Sequence, residues 1–243
     1  MTLPIRYHSS TRFAAKKSHL NSSKATGVSA LSFQNMFDLD SQTGGFTATH
    51  SYLIRSSSGA ILFDASKGAA DWLDASQTKV DALVLTHQHF DHVINAAAIR
   101  ERHKCPIFAF APMAEDLTLV ALLNGMGLPV EVPDFEVDEV LEGRDRLELA
   151  GLEFEILHVP GHSPDSLCFR PTCESNNEQK ILIAGDTLFQ RGIGRTDFPH
   201  SVPEQLLAAI QEKLYALPPE TVVYPGHGPW TTIGEEQAEN PFV

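Results

Sequence analysis

Three histidines and one aspartate lie within six consecutive positions of the segment "LTHQHFDHV", and they are His87, His89, Asp91 and His92. Imidazole and carboxylate are the side chains that bind borderline divalent metals such as zinc, iron and manganese. The apolar run "DALVL" directly before them is typical of a buried strand, so the cluster stands where such a strand ends. We therefore predict a metal site, with a metal-free surface histidine cluster as the alternative.

The same pattern occurs three more times along the chain. Strand-like apolar runs end in "VPGH", "AGD" and "YPGHG", which contain His162, Asp186 and His227. Strand ends can place all these side chains on one edge, and glycine lets the backbone pass close to an ion. We therefore expect the four segments to converge on one centre.

Seven such side chains exceed what one four-coordinate ion uses, so we predict two metals that share one carboxylate. Each ion keeps an open position in this arrangement. Hydroxide held between two ions is a nucleophile at neutral pH, because metal binding lowers the pKa of water from about 15.7 to about 7. The ions also polarise a carbonyl and stabilise the oxyanion that forms. The expected reaction is hydrolysis of an acyl bond.

Strands and helices in β-α-β order must position these residues. The segment "ATHSYLIRSSSGAILFDAS" predicts a hairpin, "GAADWLDAS" a short helix, and "DRLELAGLEFEILHVPGH" two strands around Gly151. We expect one helix over Pro112 to Gly127, ended by the glycine. Ser201 and Glu204 predict a capping box before a further helix.

Composition narrows the class of protein. A chain of 243 residues with 42% hydrophobic content can bury a sizeable core, as one larger α/β domain does. No apolar run approaches the roughly 20 residues that span a bilayer. The net charge of −13 argues against nucleic acid as a partner. Three cysteines without CxxC spacing predict neither a disulfide framework nor a thiolate zinc site, so we expect a reducing, cytoplasmic compartment.

The first 36 residues differ from the rest in charge. They contain five basic and no acidic side chains, so the remainder carries −18. A basic, serine-rich start is typical of an organelle transit peptide, but we favour an arm that packs on the domain. We expect this arm over residues 1–29 and a catalytic domain over residues 30–243.

The motifs "THQHFDH", "PGHSPDS", "GDTLF" and "YPGHG" resemble those of the metallo-β-lactamase superfamily over residues 30–243. The resemblance implies an α/β fold, the four-layered αβ/βα sandwich. "GDTLFQRGIGRTDFP" and "YPGHGPWTTIGEEQAENPF" are similar to its glyoxalase II group, especially the short bacterial type. The implied activity is hydrolysis of a small-molecule thioester such as S-D-lactoylglutathione by a metal-bridging hydroxide. Classical members hold glutathione with a C-terminal helical extension. This sequence shows no such extension after "ENPFV", so the thiol part of the substrate is left open.

The resemblance also implies a ligand set for two divalent ions, zinc or iron, with manganese as a further option. One ion is held by His87, His89 and His162, and the other by Asp91, His92 and His227. Asp186 bridges them, and catalysis is assigned to Asp91 and Asp186.

Five further residues are assigned secondary roles. By resemblance, Asp64 accepts the second N–H of a ligand histidine, with a turn-forming aspartate as the alternative. His50 could reach the pocket. Arg195 and Asp197 form an ion pair that anchors a loop, or contact substrate. Asp165 replaces the glycine of the usual "GHTPGS", which predicts an acid near the mouth of the site.

Two other functions are consistent with the same residues. "GRTDF" and "TTIGEEQAENP" also resemble persulfide dioxygenases of the superfamily, in which His87, His162 and Asp186 would hold a single iron. His227 favours the hydrolase. The third alternative is a binding protein that keeps the fold without catalysis. Neither nucleic acid nor a membrane is expected as a partner, and the oligomeric state is left open.

Overall fold

The computed structural model describes residues 36–243. The basic arm expected over residues 1–29 lies outside the described residues, so both the arm and the domain boundary at residue 30 stay predictions. Among residues 36–243, no helix is both long and apolar enough to cross a membrane.

The first half of the described chain forms a six-stranded sheet whose strands follow chain order. These strands are Asp38–Gly44 (β1), Thr49–Ser56 (β2), Gly59–Phe63 (β3), Ala82–Val84 (β4), Ile107–Ala109 (β5) and Glu139–Val140 (β6). Strands β1 to β3 pair antiparallel, and β4 to β6 add in parallel. The intervening helices are Ala69–Ala75 (α1), Phe90–Val93 (α2), Ala96–His103 (α3) and Val120–Gly125 (α4). The predicted β2–β3 hairpin and the β-α-β order are confirmed.

The second half forms another six-stranded sheet and a separate two-stranded one. Its strands are Arg146–Leu149 (β7), Leu152–His158 (β8), Leu167–Pro171 (β9), Ile181–Gly185 (β10), Leu188–Phe189 (β11), Gly192–Ile193 (β12), Val222–Pro225 (β13) and Thr231–Thr232 (β14). The six-stranded order is β14-β13-β10-β9-β8-β7, in which only β10 and β13 pair in parallel, and β11 pairs with β12. The helices are Pro203–Ala209 (α5), continued by a π-helical turn over Ile210–Leu214, and Ile233–Glu239 (α6).

The two large sheets pack face to face through a shared apolar core. Phe63 of β3 lies 5.6 Å from Phe154 of β8 and 5.3 Å from Phe169 of β9 between ring centroids. Helices α1 and α3 cover the outer face of the first sheet, and α5 with α6 covers the outer face of the second. The layers therefore run helix, sheet, sheet, helix, which confirms the four-layered αβ/βα sandwich.

The helix expected over Pro112 to Gly127 is wrong as a single element. A 3₁₀ turn over Glu115–Thr118 and α4 are separated by Leu119, whose φ of 61° lies in the left-handed region. A residue in that conformation cannot continue a right-handed helix. The Leu119 side chain is buried in this conformation.

The capping box expected at Ser201 and Glu204 is also wrong. Pro203 is the first residue of α5, so Val202 takes the N-cap position and no side chain caps the helix. The Ser201 hydroxyl instead donates a hydrogen bond of 2.7 Å to the His162 carbonyl. A capping box does form at α6, between Thr232 and Glu235.

Candidate metal centre

The seven predicted ligands lie together at one end of the sandwich, although they come from both sheets. His87, His89, Asp91 and His92 follow β4 of the first sheet, whereas His162, Asp186 and His227 follow β8, β10 and β13 of the second. Each segment supplies its side chains just after a buried strand ends, as the sequence predicted. The site is therefore shared between the two sheets and does not lie along one sheet edge.

The ligand atoms form two neighbouring triads. His87, His89 and His162 make one, Asp91, His92 and His227 make the other, and within each triad the atoms lie within 4.8 Å of one another. Asp186 lies between them, with Oδ2 3.6 Å from His162 Nε2 and 3.2 Å from His227 Nε2. We call these groups the three-histidine triad and the aspartate triad.

The residues fit divalent cations because several converging atoms are buried without a partner. Nε2 of His87 and His162 form no hydrogen bond within residues 36–243, and Nε2 of His92 meets Asp186 Oδ1 at 3.3 Å without hydrogen-bond geometry. Buried polar atoms are costly when they are left unsatisfied. Imidazole nitrogen and carboxylate oxygen are suitable donors for zinc, iron or manganese, so ions at the two triads would satisfy these atoms.

Hydrogen bonds around the cluster orient the ligands inward. His92 Nδ1 donates to Asp64 Oδ2 at 2.8 Å, His162 Nδ1 to the Arg195 carbonyl at 2.7 Å, and His227 Nδ1 to the Thr47 carbonyl at 3.0 Å. Each bond fixes the ring so that Nε2 faces the centre. Asp64 thus makes the contact expected of it.

Three further hydrogen bonds hold the carboxylates of Asp91 and Asp64. The Thr49 hydroxyl donates to Asp91 Oδ2 at 2.6 Å. The backbone N–H and the hydroxyl of Thr86 donate to the two oxygens of Asp64, at 2.7 and 2.8 Å. Asp64 is therefore fixed from the β4 side while it orients His92.

The two triads differ in protonation before any ion binds. Burial lowers the pKa of His87 well below its ordinary value, and burial with His162 nearby lowers the pKa of His89 to about 3. Burial also disfavours the charged form of His227, but Asp186 and Asp91 outweigh it and raise the His227 pKa to about 10. The three-histidine triad is therefore neutral and ready to bind, whereas the aspartate triad carries protons that an ion must displace.

The other residues singled out in the sequence surround the cluster in different ways. His50 Nε2 donates to the Gly228 carbonyl at 2.8 Å and Nδ1 accepts from the Thr43 hydroxyl at 2.7 Å, so both its nitrogens are engaged away from the ligands. Arg195 forms the expected two-pronged pair with Asp197 at 2.9 and 2.8 Å.

The expectation that Asp165 lies near the mouth is wrong. Only 2% of Asp165 is exposed, and its carboxylate accepts a hydrogen bond from the Ser163 hydroxyl. Burial raises the Asp165 pKa to about 6. Its charge therefore does not face an incoming thiol.

A cavity of about 220 Å³ opens onto the ligands. Its walls include residues that sequence reasoning did not assign to a pocket, namely Thr47, Phe90, Leu119, Phe189 and Phe198. Arg195 also lines it, and its guanidinium lies 4.3 Å from the centre of the Phe198 ring. Phe90 and Phe189 stand within the motifs "THQHFDH" and "GDTLF", so their closeness in sequence to the ligands could have indicated that they line the pocket. Nothing in the sequence indicates the same for Leu119.

A family model described as "Metallo-beta-lactamase superfamily" matches residues 44–227, which contain all seven ligands. The chain belongs to this superfamily. Among curated relatives of this metallo-beta-lactamase superfamily protein, hydroxyacylglutathione hydrolase GloC of Haemophilus influenzae is 38% identical over 169 residues, which cover 66% of this chain and 74% of GloC.

Solved structures agree with the superfamily fold. The B3 metallo-beta-lactamase BLEG-1 has a TM-score of 0.71 at 32% identity, covering 84% of this chain and 99% of BLEG-1. TTHA1623, solved in a di-iron-bound form, has a TM-score of 0.70 at 32% identity, and the match covers 84% of this chain and 100% of TTHA1623. ETHE1 from Myxococcus xanthus has a TM-score of 0.66 at 26% identity, and the match covers 84% of this chain and 83% of ETHE1. The superfamily thus includes a di-iron member similar to this chain.

Proposed function

We propose that this superfamily member is a dinuclear metal-dependent hydrolase that cleaves thioesters such as S-D-lactoylglutathione. The observation that carries the proposal is the presence of two complete triads with Asp186 between them. His227 would not be a ligand at a mononuclear centre on His87, His162 and Asp186, so its position 3.2 Å from Asp186 Oδ2 favours a second ion. The similarity to GloC supports the substrate class.

The protein groups have separable roles in this reaction. Divalent ions held by the two triads would supply a hydroxide at neutral pH and would polarise the thioester carbonyl. Asp186 contacts both triads and would hold the ions at a fixed separation. The phenyl rings of Phe90, Phe189 and Phe198 wall the cavity and limit access of water to the acyl group. A thiolate leaves without a proton far more readily than an amine, so no general acid is required.

The cavity, the net charge and the cysteines bear on the partner and the location of the enzyme. A cavity of about 220 Å³ has room for the acyl end of a small-molecule thioester. The acidic net charge of −13 supports the exclusion of nucleic acid. Cys105, Cys168 and Cys173 are free thiols, which supports a reducing, cytoplasmic compartment.

The competing function is a persulfide dioxygenase with one iron on His87, His162 and Asp186. The similarity to ETHE1, at 26% identity, is the observation that keeps it open. The two functions differ in what the aspartate triad does, because only the hydrolase needs His227 as a ligand.

The deciding experiment compares three substrates on protein purified without added metal. S-D-lactoylglutathione is assayed for thiol release, nitrocefin for β-lactam cleavage, and glutathione persulfide for oxygen uptake. We expect thiol release alone, with loss of at least about 100-fold in His227→Ala. The matched control is His200→Ala, an exposed histidine outside the cluster, which keeps wild-type turnover. Oxygen uptake without thiol release, unaffected by His227→Ala, contradicts the proposal, as does cleavage of nitrocefin alone.

A further inference from the structure

His50 is a histidine of β2 that belongs to neither triad and does not line the cavity at the metal centre. It stands opposite Thr43 of β1 in the antiparallel pair. The Thr43 hydroxyl donates to His50 Nδ1 at 2.7 Å, and His50 Nε2 donates to the Gly228 carbonyl at 2.8 Å. Because Gly228 directly follows His227, the second bond ends next to a predicted ligand.

The two side-chain hydrogen bonds of His50 determine which ring nitrogen carries the proton. Burial lowers the His50 pKa below its ordinary value, so the ring is neutral at neutral pH and has one N–H. The Gly228 carbonyl can only accept, which places that N–H on Nε2 and leaves Nδ1 to accept from Thr43. The Tyr52 ring packs beside the imidazole, with 5.8 Å between centroids. The donor of His50 is therefore held in one direction, toward the residue after His227.

The chain that leads into His227 is bonded to β2 independently of the His50 side chain. The Tyr52 hydroxyl donates to the Pro225 carbonyl at 2.6 Å, and the backbone N–H of His50 donates to the Gly226 carbonyl at 2.8 Å. These bonds do not depend on the imidazole. The fold should therefore survive substitution of His50, with the residues before the ligand still anchored.

The chain that follows His227 has a single anchor before β14 begins. Among the hydrogen bonds formed within residues 36–243, Gly228, Pro229 and Trp230 take part only in the one from His50 Nε2. Proline has no N–H to donate, and 61% of Trp230 is exposed. Gly228 has a φ of 74° and, as a glycine, restricts its own backbone little. Loss of the His50 donor thus frees the backbone on one side of the ligand.

We propose that His50 is a positioning residue that holds the backbone after His227 and thereby sets the affinity of the aspartate triad for its ion. The inference rests on the two-ion centre of the proposed function and not on its thioester substrate. The effect is specific to this triad, because the hydrogen bonds of His50 go to β1 and to the turn after β13 and not to the segments after β4 or β8. Groups that orient ligands from outside typically change metal affinity by about 10–100-fold.

The test compares cobalt(II) binding to metal-free wild type, His50→Phe and His50→Gln in competition with a chelator, and the visible absorption of bound cobalt reports its coordination geometry. Phenylalanine keeps a ring beside Tyr52 and removes both hydrogen bonds, whereas the amide nitrogen of glutamine can still donate to Gly228. We expect His50→Phe to weaken one of the two ions about 10-fold or more and to change its spectrum. His50→Gln should restore most of the wild-type affinity.

The same substitution in the His227→Ala background separates positioning from general destabilisation. The aspartate triad is incomplete in this background, so His50→Phe should leave the affinity and spectrum of the remaining cobalt unchanged. Thr43→Val removes the hydroxyl that keeps the proton on Nε2, and it should weaken the same ion as His50→Phe, but by less. Because Thr43 is exposed, this variant decides the question if His50→Phe does not fold.

The matched control is His103→Phe, because His103 accepts a hydrogen bond from Val80 N–H and contacts no ligand segment through it. It should leave both cobalt affinities unchanged, whatever its effect on the melting temperature. The inference is overturned if His50→Phe keeps wild-type affinity for both ions, weakens both alike, or weakens the remaining ion in His227→Ala. Wild-type protein that binds only one cobalt refutes the two-ion centre together with the inference. Absence of thioester hydrolysis refutes the proposed substrate alone.

Discussion

At the scale of single residues, Asp64 orients the ligand His92 without being a ligand itself. Its Oδ2 accepts from His92 Nδ1 at 2.8 Å and its Oδ1 from Thr86 N–H at 2.7 Å. Asparagine offers one acceptor oxygen in place of two, so Asp64→Asn should weaken the ion of the aspartate triad about 10–100-fold. Chelator competition measures this affinity. Asp138→Asn, at a carboxylate paired with Arg100, is the control that should leave it unchanged. Equal affinities in wild type and Asp64→Asn contradict this role.

The protonation of the triads predicts that the affinity for one ion depends on pH and the affinity for the other does not. The pKa of His227 is raised to about 10 by Asp186 and Asp91 against the effect of burial, so His227 is protonated at neutral pH and an ion must displace that proton. Affinity at the aspartate triad should therefore rise about tenfold per pH unit for each proton displaced, and fall as the pH is lowered. His89, with a pKa of about 3, is already neutral, so affinity at the three-histidine triad should stay flat between pH 6 and 8.

Chelator competition at several pH values checks this difference. The His227→Ala variant isolates the three-histidine ion, and subtraction from the wild-type curve gives the other. If the affinities for the two ions change with pH at the same rate, the predicted difference in protonation between the triads is wrong.

At the scale of elements, the turn that follows β13 depends on a glycine. A Cβ on Gly226 would lie 2.1 Å from Asp186 Oδ1 and 2.7 Å from His92 Cε1. Gly226→Ala must therefore push Asp186 or the strand end aside, and displacements of about 1 Å at a reacting centre cost on the order of 100-fold in rate. Turnover and metal content are the measurements. Gly125→Ala, where a Cβ meets nothing within 4 Å, should keep both, and wild-type turnover in Gly226→Ala would contradict the close packing.

The strands and their ends were predictable because the signal is local. Buried strands are short apolar runs, and the first ligand follows each of them within four residues, so "DALVLTH" and "ILIAGD" suffice to place His87 and Asp186. The break at Leu119 was not predictable, because a leucine gives no local signal for a left-handed backbone and its burial depends on tertiary contacts. The burial of Asp165 and the bond from Ser201 to His162 depend on tertiary contacts in the same way. Local patterns therefore located the candidate ligands and the resemblance indicated Asp64, but neither indicated the contacts of Asp165 and Ser201.

At the scale of the whole molecule, the metal centre connects the two halves of the sandwich. Ligands after β4 belong to one sheet and ligands after β8, β10 and β13 to the other, so bound ions link both sheets. An ion present at about 1,000 times its Kd stabilises the native state by about 4 kcal/mol, which for a domain of this size is roughly 10 °C in melting temperature. We expect chelation to lower the Tm by that amount and added metal to restore it. An unchanged Tm after verified metal removal contradicts this coupling.

The most direct test of a dinuclear hydrolase is the titration of metal-free protein with one metal while S-D-lactoylglutathione hydrolysis is followed. Two complete triads around Asp186 predict that turnover rises until two ions per chain are bound, then stays constant. The same titration of His227→Ala should saturate at one ion with little turnover. Wild-type protein that saturates at a single ion and releases no thiol contradicts the account.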